Sequence, residues 1–456
     1  MISAPANFTT ANAELAKRPI YIIAISGYYR TFTNCDTGIP GQYDWLESYS
    51  DLSITISELD GGSDIGGWNF TVSDGDISNP NAITADFPSF VFEGKAITVK
   101  TGFVGMSQAD FALLYTGDID TVVSANDNLS YTFNCIDNQQ KLTSLLYTVA
   151  DDGNPTSSDH MRTLNGHPLD LLISALAQIG YEPSMVNQTK ILGYRNGLLS
   201  GIQFQFDIDS PPQAKEFLEA QILKPLAGYM WTNNLGQVDV NFLRKDVRGP
   251  YPSQLSLNED NMISVPLAQQ VDMVNVINFR MDKSKGGSTD YAVERISQYN
   301  PSISLYGQFG QQTIEAAGMR SGLQGVFLAH RISRSIFKRV GLKNLTFIAD
   351  LLWSACCLEP GDIVDVSSPH VPDRIAGTMG ISGKLFEVFD RRLNFNDGIV
   401  TVRLLDASYL SQPLYFVAGN SVPAFASASG TEKAKYMFQA NDSDQYSDAS
   451  AAHGLF

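Results

Sequence analysis

Residues 345–366, LTFIADLLWSACCLEPGDIVDV, and residues 377–406, GTMGISGKLFEVFDRRLNFNDGIVTVRLLD, decide how the rest of the chain is read. Short apolar runs alternate here with Pro360-Gly361-Asp362, with glycines at 377, 380 and 383, and with Asn396-Asp397-Gly398. Proline fixes φ and glycine frees it where a chain must reverse, so each cluster predicts a turn. Asn-Asp-Gly between LFEVFDRRLNF and IVTVRLL is the strongest hairpin signal in the sequence. The spacing predicts four or five strands in a small closed or nearly closed β-unit, and no catalytic group stands out in it. Cys356 and Cys357 are expected on a strand, pointing to opposite faces as two small buried side chains.

Upstream of this unit the pattern predicts a helix over 323–338. Ala329, Ile332 and Ile336 share one face, while Arg331, Arg334 and Lys338 share another at i, i+3 and i+7. That second face is either a solvated surface or a positive stripe docking an acidic partner. Further upstream, DMVNVINFRMD, a KSKGGS turn and TDYAVERISQYN read as strands, followed by the interlude NPSISLYGQFGQQTIEAAG. Residues 263–415 are thus expected to form a β-barrel-like domain with an inserted helix.

Residues 151–262 read as a small α+β domain behind the polar boundary DDGNPTSSDH. Pro168 opens a helix that Gly180 stops. GIQFQFDID alternates as a strand, Ser210-Pro211-Pro212 opens a second helix with Phe217, Leu218, Ile222 and Leu226 inward, and Asn233–Gly236 turns a hairpin. Residues 1–150 read as β, with PIYIIAISGYY, LSITISEL, AITVKTGFVG and LSYTFNCID separated by clusters such as GGSDIGG and DGDISNPNA. That rhythm predicts a barrel or sandwich. Residues 416–456 are an extended, low-complexity tail with isolated Phe425, Tyr436, Phe438, Tyr446 and Phe456. Such a segment buries too little apolar surface to order alone, so these rings are expected to meet another chain or the flank of the protein's own body. The fold class is α+β, mainly β: two barrel- or sandwich-like domains flank a small α+β domain, and a tail follows.

The 456 residues suffice for several cores, and 43% apolar against 17% charged residues excludes a disordered chain. Aromatics at 11% favour pleated surfaces. The net charge of −17 is uneven: residues 1–150 carry 6 Lys/Arg against 17 Asp/Glu. Specific nucleic-acid binding is therefore not expected, since it needs basic surface. No apolar run reaches the length of a membrane-spanning helix, and no apolar signal core opens the chain. Four cysteines and five scattered histidines show no metal-ligand spacing. They fit a reduced protein assembled in the cytosol, with a Cys35–Cys135 bridge left open. Nucleophile elbows, zinc-protease motifs, phosphate loops and dinucleotide fingerprints are absent. Asp74-Gly75-Asp76 and Asp442-Ser443-Asp444 begin like calcium loops but lack the glycine and glutamate that complete one. Asp118 and Asp120 in GDID are expected to cap strand ends. No cofactor, metal or catalytic residue is assigned.

Three passages resemble one family, the hub proteins of bacteriophage tail tips and baseplates and their relatives in phage-derived injection machines. They are YTGDIDTV…LSYTFNCIDNQQKL, then NPSISLYGQFG with the helix after it, and most specifically LEPGDIVDV…GTMGISGKLFEVFDRRLNFNDGIVTVRLLD. The order barrel, small α/β unit, barrel is also similar, and the likeness touches residues 90–410. The resemblance implies a non-enzymatic virion protein of the tail tip, assembled in the host cytoplasm. It implies homotrimers whose paired domains mimic sixfold symmetry around the DNA-ejection channel. It further implies contacts with a distal tail protein, a tape-measure protein and a tip spike or fibres. The acidic first 150 residues would suit a channel wall that repels DNA phosphate. Two other classes compete: a β-rich glycan-binding or adhesion protein, which predicts exposed aromatics in a groove, and a wall-degrading hydrolase resting on undirected carboxylates.

Overall fold

The computed structural model describes residues 1–12, 19–37, 39–56, 63, 66–73, 83–124, 130–146, 162–208, 210–242, 253–264, 267–270, 273–283, 290–307, 310–342, 344–373, 377–407, 416–417 and 423–437. The expected boundary DDGNPTSSDH, most of GGSDIGG and of the KSKGGS turn, and both aspartate-rich loops lie outside the described residues.

A short helix α1 (Ala6–Asn12) precedes nine strands: β1 (Pro19–Ile25), β2 (Thr31–Thr33), β3 (Gln42–Tyr43), β4 (Leu46–Tyr49), β5 (Leu52–Thr55), β6 (Gly67–Ser73), β7 (Ala96–Phe103), β8 (Ala112–Ser124) and β9 (Ser130–Ile136). All but β5 form one sheet in the order β3-β2-β1-β7-β8-β9-β6-β4. Alternation explains its inner face: Trp68, Phe70 and Val72 of β6 are buried while Gly67 and Asn69 face out. Phe70 stacks on Phe133 at 4.8 Å. Asp118 and Asp120 do not end a strand, as expected from GDID. They fall inside β8, which runs through the glycine and bulges between Ile119 and Thr121. A bulge adds a residue without ending the ladder, so turn-rich sequence need not terminate a strand.

The α+β unit follows as β10 (Arg162–Gly166), α2 (Pro168–Gln178), α3 (Gln188–Asn196), β11 (Phe204–Ile208) and α4 (Ala214–Glu216). The last of these continues as a π-wound segment, Phe217–Leu223, and a tight turn, Lys224–Leu226. Then come β12 (Gly228–Thr232) and β13 (Val238–Phe242), paired antiparallel across the expected Asn233–Gly236 turn. After it the chain forms β14 (Ser256–Leu257), β15 (Leu267–Gln270), β16 (Val276–Lys283), β17 (Tyr291–Gln298), α5 (Asn300–Tyr306), β18 (Gln311–Glu315), α6 (Gly325–Val340), β19 (Leu345–Leu352), β20 (Ile363–Asp373), β21 (Thr378–Asn394) and β22 (Ile399–Asp406). The second large sheet runs β14-β20-β21-β22-β19-β15, and β5 adds to it by pairing Leu52–Thr55 with Leu393–Asp390 of β21.

A strand from the first ninety residues therefore completes the sheet at the far end of the sequence. The two sheets also share one hydrophobic core, in which Phe395 packs on Tyr21 at 5.0 Å, Trp68 at 5.6 Å and Trp353 at 5.6 Å. Trp353 Nε1 donates to Thr101 Oγ1 at 3.1 Å across that boundary. Residues 276–340, expected with the second barrel, bury Ile277, Phe279, Ile332 and Ile336 in a different core, together with the α+β unit.

The 17-residue β21 serves both cores, and it bulges between Val388 and Asp390. Successive strand residues alternate faces, so Phe386 and Val388 enter the shared core of the sheets while Phe389 enters the other. Past the bulge the parity switches, and Leu393 and Phe395 face the same core as Val388. Gly398 turns the predicted hairpin with φ +65°, and Gly361 turns the predicted Pro-Gly-Asp with φ +86°. A Cβ at Gly361 would lie 2.2 Å from Asn241 Nδ2, so both the turn and its close approach require glycine.

Cys356 and Cys357 depart from expectation. They occupy a turn after a tight helical stretch, Trp353–Ala355, and not a strand. Helical winding separates consecutive side chains by far less than a strand's half-turn, and the two sulfurs stand 3.9 Å apart. Cys35 and Cys135 are not bridged to each other.

The described residues 416–417 and 423–437 belong to a second unit. Within it β23 (Phe416–Val417) pairs in parallel with β24 (Tyr436–Met437), and a short helix α7 (Gly430–Lys435) precedes the latter. Ser429 and Glu432 cap each other reciprocally: Glu432 Oε2 accepts from Ser429 N at 2.8 Å, and Ser429 Oγ accepts from Glu432 N at 3.3 Å.

Candidate functional site

Helix α6 carries the surface stripe singled out in the sequence. Leu328, Ala329, Ile332, Ser333, Ile336 and Phe337 are buried beneath it, which orients the opposite face outward. On that face Arg334 and Lys338 are exposed, whereas Arg331 is half-buried and Nη2 donates to the backbone carbonyl of Leu198. Arg331 therefore fastens the helix to the α+β unit. The stripe has an apolar member that charge patterning alone did not flag: Phe327 is 67% exposed, one turn before Arg331. His330, between them, faces Ser297 Oγ of β17 at 3.2 Å. Phe327 stands at i relative to Arg331 and Arg334 at i+4 and i+7, a spacing that puts the ring on the same face.

The remaining basic residue of the helix is spent inside the protein. Arg339 and Glu387 of β21 form an ion pair at 2.6 Å with both side chains 1% exposed. Tyr229 and Asn241 lie in the same interior. Asn241 Nδ2 donates to Tyr229 Oη at 3.1 Å, and Tyr194 Oη donates to Asn241 Oδ1 at 2.8 Å. Burial raises the Tyr229 phenol well above its ordinary pKa, with the Glu387 charge adding to it, so it stays a neutral hydrogen-bonding group.

Other ionisable groups are tied into structure. Burial raises Asp137 to about 6 although its carboxylate accepts from Gln139 N at 2.8 Å and Gly66 N at 3.1 Å. It caps the turn Asn138–Thr143. Burial also raises Asp118, opposed by Lys141. His167 borders a groove of about 350 Å³ with Asp170 and Arg195. Its Nδ1 accepts from Leu169 N at 3.1 Å as the cap of α2, and its Nε2 meets the Leu199 carbonyl at 2.9 Å. Both ring nitrogens are thus occupied, and burial lowers the pKa of the ring. A second groove, of about 540 Å³, is lined by Glu259, Asp260, Ser367, Ser368 and Ser382. Among the described residues no three His, Cys, Asp or Glu side chains gather as a metal site, and no helix is long and apolar enough to cross a membrane.

Of the tail aromatics, Phe425 is half-buried and lies under Lys433 Nζ at 4.3 Å, a cation–π contact within the second unit. Tyr436 falls in β24, while Phe438, Tyr446 and Phe456 lie outside the described residues.

No protein-family profile and no curated protein matches the chain. Solved structures do. The 43 kDa tail protein of prophage MuSo2 from Shewanella oneidensis is similar over 86% of this chain and 99% of its own, with 14% identity and a TM-score of 0.48. A tail protein from Neisseria meningitidis is similar over 86% of this chain and 98% of its own, with 12% identity and a TM-score of 0.49. A prophage tail protein from Listeria monocytogenes is similar over 85% and 94%, with 8% identity and a TM-score of 0.46.

Proposed function

We propose that the chain is a structural, non-catalytic protein of a phage-type tail. In this reading it is the hub of a tail tip or baseplate, repeated as a trimer around the channel through which DNA leaves. One observation carries the proposal. Two broad sheets flank a small α+β unit along the sequence, and β5 and the Tyr21–Trp353–Phe395 cluster weld those sheets together. A part that must hold register under load gains from such welding, because opening either sheet exposes the core of both. The outer face of α6, with Phe327, Arg334 and Lys338, is assigned to a neighbouring tail protein or to the acidic first 150 residues of a second copy. The distal tail protein, the tape measure and the tip spike or fibres are the partners this position implies, and the virion is its place.

Cryo-electron microscopy of tail particles carrying the chain tests this directly. Threefold density around the channel is expected, and density at a peripheral fibre would end the hub reading.

A specific observation favours a second reading, glycan binding. Tyr29 is 65% exposed, and the Arg30 guanidinium is held 4.8 Å from its ring, 5.3 Å from Tyr43 and 5.4 Å from Trp45. Aromatic surface of this kind can carry sugars as well as protein partners. Binding of the isolated chain to a glycan array, lost in Tyr29→Ala, would support that reading and displace the hub.

A further inference from the structure

We infer that the Cys356–Cys357 turn is a reversible dithiol site that closes to a vicinal disulfide on meeting a small-molecule disulfide such as oxidised glutathione. The two sulfurs are already in contact at 3.9 Å, because the turn winds both side chains to one side. Cys356 is fully buried, and Cys357 reaches the surface with 6% of its area. A buried cation lies beside the pair: Nη1 of Arg391 of β21 donates to the carbonyl of Cys356 at 3.3 Å and to that of Leu358 at 2.7 Å, and the N-terminal ammonium also acts on Cys357. The parity of Arg391 after the β21 bulge is what turns it toward the cysteines.

The two thiols differ in the way an exchange reaction needs. A hydrogen bond from Cys356 and the Arg391 charge lower Cys357, against burial, while burial raises Cys356 well above the ordinary thiol value. Cys357, the one of the two with any exposed surface, is the attacking thiol. It attacks one sulfur of the small disulfide, forming a mixed disulfide and releasing one thiolate. Cys356 then gives up its proton and attacks Cys357 Sγ, forming the Cys356–Cys357 bond and expelling the second thiolate. Two protein thiols lose two electrons, and one small disulfide becomes two thiols.

The product is strained, because adjacent Cα atoms are held about 3.8 Å apart whereas disulfides favour about 5.5 Å. A strained disulfide is readily reduced, so the site is reversible. Ring closure also twists the peptide whose carbonyl Arg391 holds. Arg391 pairs across the sheet with Ile54 of β5, so the redox state of the turn acts on the strand that welds the two sheets.

The test treats the native full chain with oxidised glutathione at increasing ratios to reduced, followed by acid quench, alkylation and peptide mapping. The peptide spanning 356–357 is expected to lose two hydrogens, resist alkylation and return fully on mild reduction. Cys35, a single half-buried thiol, serves as the internal comparison and is expected to keep any glutathione it acquires. Cys356→Ser is expected to hold a glutathione on Cys357, and Cys357→Ser to hold none at 356 in the same time. Alkylation of both cysteines at every ratio, or a persistent glutathione on Cys357 of the unaltered chain, would overturn the inference. Neither outcome bears on the tail-hub reading.

Discussion

The two large sheets share a core but are held in different ways. The first is sealed by rings: Phe32, Phe70, Phe92 and Phe133 pack on one another, and Tyr28 and Trp68 close the ends. The second encloses charge, with Arg339 paired to Glu387 on one face and Arg391 capping turn carbonyls on the other. Ring packing degrades by degrees as methylenes are removed. A buried charge tolerates loss of its partner badly, yet its whole pair can be replaced by apolar groups at little cost. The first sheet should therefore respond to substitution gradually, and the second steeply.

The steepest response is expected at Glu387. Glu387→Ala strands the Arg339 charge and should lower unfolding free energy by about 3–5 kcal/mol, read from urea denaturation. Arg339→Met with Glu387→Leu should recover most of that loss. A double variant no more stable than Glu387→Ala would show that the pair itself, and not the uncompensated charge, matters.

Beside the rings, Asp137 gives the first sheet an ionic sensitivity. Its folded pKa, about 6, lies above the unfolded 3.8, so the folded chain binds the proton more tightly. Its contribution is fully present below about pH 4 and declines as pH rises through about 6, a change of about 3 kcal/mol at most. Unfolding free energy measured from pH 4 to 7 should carry this downward slope with rising pH, and Asp137→Asn should flatten it.

A smaller effect tests the weld between the sheets. Thr101→Val keeps the side-chain volume and removes the acceptor of the Trp353 hydrogen bond, and should cost about 1 kcal/mol. Smallest of all in stability is Arg334→Glu on the outer face of α6, expected within about 0.5 kcal/mol. Its effect should appear instead as weakened co-assembly with tail proteins in a pull-down from infected-cell extract. Unchanged assembly would remove α6 from the interface.

Much of the fold is legible from local chemistry. Pro168 and Gly180 bracket α2, Asn396-Asp397-Gly398 turns the β21–β22 hairpin, and Asn233–Gly236 turns β12–β13, because each is fixed by φ preferences within a few residues. The placement of β5 is not legible. LSITISEL announces a strand by alternation, but its partner lies some 340 residues away and nothing local names it. The β21 bulge is equally hidden, since FEVFDRRLNF alternates too loosely to show where parity switches. The same limit explains Cys356-Cys357, where apolar neighbours suggested a strand and the Trp353 turn prevailed. On α6 the period identified the outer face, but only tertiary structure revealed that Arg331 was already committed to Leu198. In the low-complexity tail the Ser429-x-x-Glu432 spacing is a capping signal that marks the start of α7.

How copies of this chain are arranged is measured most directly by the symmetry of its density in an intact tail particle. The account predicts three copies enclosing an axial channel, with α6 against a neighbouring protein. A single copy away from the axis, or one bound to sugar through the Tyr29 and Trp45 surface, would contradict it.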